Sequence, residues 1–196
     1  MCSHSVCKKS SGKIELITGI YLIIVLVILL SAQTQIRVLM AAGSYVEDAL
    51  AASNLASAVA DYREYGRSGR IVITDPKAAY RLYCDALRQN LCLDENWKSS
   101  RHGLISGQVK VLMYEVYVVE DNDVTIHSFG IEGEKVKRVP GGLGSVYTPD
   151  RILVETTSVY SRIGFPVKGI FGTELFAVKE KTVDIVGGQQ MRKGGA

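Results

Sequence analysis

Apolar positions along the chain follow three regimes in turn. From Leu16 to Leu30 the sequence reads LITGIYLIIVLVILL, fifteen residues without a charge. Ser31 and Ala32 extend the run to seventeen, close to the roughly 20 residues of a bilayer-spanning helix. Beyond it Ile36, Leu39, Met40, Gly43, Val46, Leu50, Ser53, Ser57 and Ala60 recur at steps of three and four, which is one stripe of an α-helix. No proline interrupts the chain between Lys13 and Tyr65, and Gly66 with Arg67-Ser68-Gly69-Arg70 supplies a stop. These features predict one helix over 13–66, apolar all round in its first half and amphipathic in its second. Its stripe is rich in Ala, Gly and Ser, so a neighbouring element can approach closely.

A short strand is expected at Ile71–Thr74. Asp75-Pro76 then has the form of a helix start, an N-cap acid followed by proline in the first turn. Ala79, Leu82, Tyr83, Ala86 and Leu87 give that second helix its apolar side, to about Leu91. After Gly103 the period changes to two. Val109, Val111, Met113, Glu115, Tyr117 and Val119 mark one face of a strand, and Lys110, Leu112, Tyr114, Val116 and Val118 the other. Both faces are partly apolar, which predicts a central strand. Glu120-Asp121-Asn122-Asp123 reads as a hairpin turn with a return over Val124–Phe129. Pro140–Gly144 is a loop, Ile152–Ile163 a β-rich stretch, Gly169–Gly172 a turn and Thr173–Val186 a last strand. The order of elements predicts an α+β fold: a long N-terminal transmembrane-plus-amphipathic helix packed on an antiparallel β-sheet head, with one additional helix.

Charge adds an orientation. Lys8, Lys9 and Lys13 precede the apolar run, whereas Arg37 is the only basic residue in the twenty that follow Ala32. The positive-inside rule keeps such an N-terminus in the cytoplasm and the head outside it. A cleaved secretory signal is the rival, with Ser31-Ala32-Gln33 as a weak cleavage site. The lack of a turn signal near residue 33 favours a continuous helix. Setting aside Lys8, Lys9, Lys13 and Glu15 leaves 20 basic and 19 acidic side chains in the remainder of the chain. That near-neutral balance gives no electrostatic case for nucleic acid. The chain is therefore divided into a cytoplasmic leader (1–12), the transmembrane helix with its extension (13–66), an extracytoplasmic head (67–186) and a flexible tail (187–196).

Signatures of catalysis are missing. There is no nucleophile elbow, zincin helix or P-loop, and no Cys/His spacing that suits zinc. His4, His102 and His127 read as surface or hydrogen-bonded residues, the acids at 120–123 as a solvated turn, and the glycines at 141–144 as a turn. Cys84 and Cys92 lie on the side where a disulfide is permitted. On one unbroken helix they would stand about 12 Å apart, beyond the roughly 7 Å that a disulfide tolerates. Pairing requires the helix to end between them, near Asn90; two unpaired cysteines is the other reading.

Lys8-Lys9-Ser10-Ser11-Gly12-Lys13-Ile14-Glu15 runs directly into the membrane segment. A basic leader, a glycine, an acid, an apolar helix, an amphipathic extension and a β-rich head together resemble the type IV pilins and pseudopilins. Within them the chain is most similar to the TadE-like pseudopilins of Gram-positive Tad-type systems. Tyr160–Gly172 (YSRIGFPVKGIFG) is similar to the penultimate hairpin of such proteins. The resemblance implies cleavage by a membrane peptidase after a small residue. Gly12 matches that position and leaves Lys13 first in the mature chain with Glu15 third; a cut after Ser10 makes Glu15 fifth, the position the family uses to satisfy a neighbouring subunit's N-terminal amine. It also implies a non-enzymatic, cofactor-free subunit whose partners are the lipid bilayer, other pilin-like subunits, a prepilin peptidase and an assembly platform, in the cell membrane or a pilus. Glu15 and Gly43 are the candidate assembly residues. Two other readings stand beside it. One is a tethered binding or sensing domain with Tyr80, Tyr83, Trp97, Tyr114 and Tyr117 around a ligand. The other is an anchored hydrolase built from Ser, His and Asp.

Overall fold

A computed structural model describes residues 11–58, 66, 73–99, 105–131, 133–169 and 173–185. Helix α1 (Ser11–Ser57) is 47 residues long, about 70 Å at 1.5 Å per residue. The rest of the expected helix, 59–65, and its stop at 67–70 lie outside the described residues, as do the leader 1–10 and the tail 187–196. Helix α2 (Pro76–Asn90) begins as expected: Pro76 opens it, and the Ala78 amide donates to the Asp75 carboxylate at 2.9 Å. Ala79, Tyr83 and Leu87 form its buried side, while Leu82 stays exposed.

Five antiparallel strands follow: β1 (Lys110–Glu120), β2 (Asp123–Gly130), β3 (Gly133–Val139), β4 (Ser158–Lys168) and β5 (Glu174–Asp184). Their spatial order is β3-β2-β1-β4-β5, so the strand with two apolar faces is the central one. Tyr114, Val116 and Val118 point from β1 into the main core beneath α1 and α2. Tyr117, on the other face, joins Val124, Val154 and Tyr160 in a smaller core covered by the 140–157 segment. The β1–β2 turn is the two residues Asp121-Asn122, with Asp121 in the left-handed region at φ 56°.

Polar side chains run through the main core. Ser53, Asn54 and Ser57 are fully buried, and each finds a partner distant in sequence. Asn90 donates to the Ser53 hydroxyl (3.1 Å), Asn54 to the Lys181 carbonyl (2.9 Å) and the Tyr114 phenol to the Ser57 hydroxyl (2.9 Å). Tyr114 also lies among the rings of Tyr80, Tyr83 and Phe129, with centroid separations of 5.4, 4.6 and 6.1 Å.

Four sequence expectations need correction. The stripe of α1 is rotated: Val46, Leu50, Ser53 and Ser57 are buried with Ala42, Ala49 and Asn54, whereas Ile36 and Met40 are exposed; Ala60 lies outside the described residues. Strand β3 was not expected, because nearly all its side chains face water. Strand β4 starts at Ser158, not Ile152, since the preceding residues bend to insert Val154 into the second core. Ile73 is buried without being part of a strand, and Ile71 and Val72 lie outside the described residues.

Candidate functional site

The part of the molecule that its own fold leaves unsatisfied is the first half of α1. Its apolar side chains stand bare along the length, with Leu16 at 65 % and Leu30 at 53 % exposure. This is the one helix among the described residues long and apolar enough to cross a membrane. Glu15 and Arg37 bracket 21 uncharged residues, which as a helix measure about 31 Å against a hydrocarbon core of about 30 Å. Two hydroxyls inside that stretch are satisfied internally: Ser31 donates to the Val27 carbonyl (2.8 Å) and Thr34 to the Leu30 carbonyl (2.9 Å). Hydrocarbon demands this, because it offers no partner to a polar group.

The second half of α1 is locked to the head. Lys181 reaches Glu47 at 2.9 Å and Lys179 reaches the same carboxylate at 3.5 Å. The hydrogen bond and charge of Lys181, then the charge of Lys179, hold the Glu47 carboxyl below its ordinary pKa. A folded-state pKa below the unfolded value gives stabilisation that is present above the unfolded pKa and is lost as pH falls through the folded one. All three side chains are about two-fifths exposed, so solvent screening limits the effect. Glu47→Gln is expected to cost less than about 1 kcal/mol at neutral pH. That cost should shrink in concentrated salt and vanish below the carboxylate range, as read from paired thermal melts across pH.

The sequence-predicted residues fall in different places. Gly12 and Glu15 lie exposed in the first turns of α1 and Lys13 shares that helix, while Ser10 lies outside the described residues. Gly43 faces the protein's own β5: a Cβ there would sit 3.4 Å from Lys179 Cε. That is ordinary contact with the end of a flexible side chain, so this junction would accept a Cβ at position 43. No disulfide joins Cys84 and Cys92. α2 does end between them, at Asn90, but by then the six residues after Cys84 have advanced about 9 Å along the axis. Burial pushes the Cys84 thiol up.

The five aromatic residues are taken up in packing. Tyr83, Tyr114 and Tyr117 are buried, and Tyr80 and Trp97 pack against the main core. Burial pushes the Tyr80 phenol up to about 12 and raises Tyr83, Tyr114 and Tyr117 as well. Glu115, buried on the other face, accepts from the phenol of Tyr117 and from Ser128 (2.7 Å). His127 lies in β2, and His4 and His102 lie outside the described residues. Among the described residues no group of three or more His, Cys, Asp or Glu side chains is placed to hold a metal.

One open cavity of about 260 Å³ lies at the end of the sheet, lined by Leu112, Met113, Gly130, Ile131 and their neighbours. Exposed Ile131, Phe176 and Val178 at this end of the sheet escaped the sequence reading. The signal was present in the alternation of β5, where Phe176 and Val178 share a face with Glu180. No family model, curated protein or solved structure matches the chain.

Proposed function

We propose that the chain is a membrane-anchored, pilin-like structural subunit without catalysis of its own. One observation carries this reading: a single unbroken helix has a bare apolar half of membrane-spanning length and a second half sealed onto an antiparallel sheet. Such a division lets one element serve as anchor and as spine of the head. The bare half also provides a surface through which copies can bundle once they leave the lipid. Lys8, Lys9 and Lys13 orient the N-terminus to the cytoplasm, and the leader ends at Gly12 or Ser10. Glu15 stands at the positive end of the helix dipole, where a carboxylate is favoured and where a neighbouring subunit's amine would meet it.

The test joins two measurements on the full-length chain in native membranes. Intact mass is expected to show loss of residues 1–12 or 1–10, and cross-linking in the membrane is expected to give a ladder beyond the dimer. An uncut chain that cross-links only as a monomer would point instead to a tethered binding domain. Loss of residues 1–32 would make it an ordinary secreted domain.

A further inference from the structure

The head begins where the span ends. Arg37 closes the uncharged segment, and Leu39 already packs against the core, with Ala42 only 1 % exposed. Two residues of helix amount to about 3 Å, so no stalk separates the head from the level at which α1 leaves the hydrocarbon.

The end of the sheet that faces that level can be assigned. Asn54 bonds the Lys181 carbonyl, while Gly43, eleven residues earlier on α1, lies against the Lys179 side chain. β5 therefore runs in the same sense as α1, and its first residues point toward the membrane. Lys168 pairs with Glu174, and Lys110 with Gly164, so the end of β4 and the start of β1 lie on the same side.

An apolar band crosses the sheet there. Phe176 is 59 % and Val178 41 % exposed on β5. The Phe176 ring lies over Gly164, where a Cβ would fall 2.3 Å from its Cζ and 3.4 Å from Leu112 on β1. The band continues through the cavity beside Leu112 to Ile131, which is 82 % exposed. Lys110, Lys135 and Lys168 border it, with Glu174 at the same end and Glu180 further along the face of Val178. Exposed aromatic and aliphatic side chains edged by lysine suit the boundary between headgroups and acyl chains.

We propose that this band is a second membrane contact: the head lies on the bilayer with Phe176, Val178 and Ile131 in the headgroup layer, and α1 is not its sole attachment. The proposal rests on the reading of α1 as a membrane span. The band lies on the sheet face away from α1 but at the end of the head where the span begins, and that level selects lipid over a second copy as the occupant.

The experiment uses the full chain in vesicles of phosphatidylcholine and phosphatidylglycerol, with the photo-cross-linker p-benzoylphenylalanine at one position at a time. Phe176→p-benzoylphenylalanine is the main variant. Val178→p-benzoylphenylalanine repeats it in case the ring over Gly164 does not tolerate change. Tyr147, 60 % exposed, is the negative position; its segment is tied through Asp150 to Thr182, near the far end of β5. Tyr21, inside the span, is the positive position. Lipid adducts at 21, 176 and 178 with none at 147 are expected. Adducts at 21 with none at 176 and 178, or with 176 and 178 joined to a second copy, would overturn the second contact and leave the span intact. No lipid adduct at 21 would overturn the span and this inference together.

Discussion

A chain that begins at Val38 is expected to leave the membrane fraction while its head keeps its fold. Twelve Leu, Ile and Val residues lie between Leu16 and Leu30. At about 0.3–0.6 kcal/mol each, they favour insertion by about 5 kcal/mol, more than a thousandfold in partition. The core of the head needs none of them, because its first α1 contacts are Leu39 and Ala42. Flotation with vesicles should move the full chain to the top of a gradient and leave most of the truncated one at the bottom. The band around Phe176 should retain only a weak, salt-sensitive association. Circular dichroism should show the same β signal per head and an unfolding midpoint within a few degrees of the parent, about what loss of solvent-facing residues costs. An unfolded product would mean that the apolar half is part of the head's core, contrary to its exposure.

Tyr114→Ala is expected to be the most damaging single change in the head. The ring is fully buried at the centre of the sheet, among Tyr80, Tyr83 and Phe129, and its phenol reaches Ser57 on α1. Removing a buried aromatic of this kind costs about 3–5 kcal/mol. For a domain of this size that is a large part of the whole stability. Tyr114→Phe keeps the packing and loses one hydrogen bond, about 1 kcal/mol. Ser57 would still be satisfied, since its hydroxyl also donates to the Asn54 carbonyl at 2.7 Å. Urea midpoints of the two variants at unchanged slope would read the difference, and a cycle with Ser57→Ala would isolate the bond between helix and sheet. If alanine costs no more than phenylalanine does, the aromatic cluster is not what joins α1 and α2 to the sheet.

How far the primary structure led depends on the residues concerned. The apolar run of α1, the proline start of α2, the two-faced β1 and the Asp121-Asn122 turn were all legible. Each is a local pattern with a local cause: hydrocarbon length, a missing amide, burial on both sides, a two-residue reversal. Strand β3 was not, because GEKVKRV is an edge strand that keeps charge along its exposed backbone. An edge that is polar on both faces carries no period to read. The cysteine pair is open in the sequence; α2 does end at Asn90, between the two, and yet no disulfide joins them.

The sequence alone thus determined that one long helix is apolar first and amphipathic later, and that an antiparallel head follows it. It carries the basic leader and the Gly12–Glu15 approach on which the pilin resemblance rests. Only the tertiary structure decided which side of α1 turns inward, because that choice depends on partners far along the chain. Ser53, Asn54 and Ser57 turn inward where Asn90, the Lys181 carbonyl and Tyr114 arrive to bond them. Gly43 faces Lys179 for the same reason. The band of Phe176, Val178, Leu112 and Ile131 is likewise gathered from separate strands. Hydrophobic periodicity records the contrast between the two sides of one element; it cannot record which other element will lie against either side.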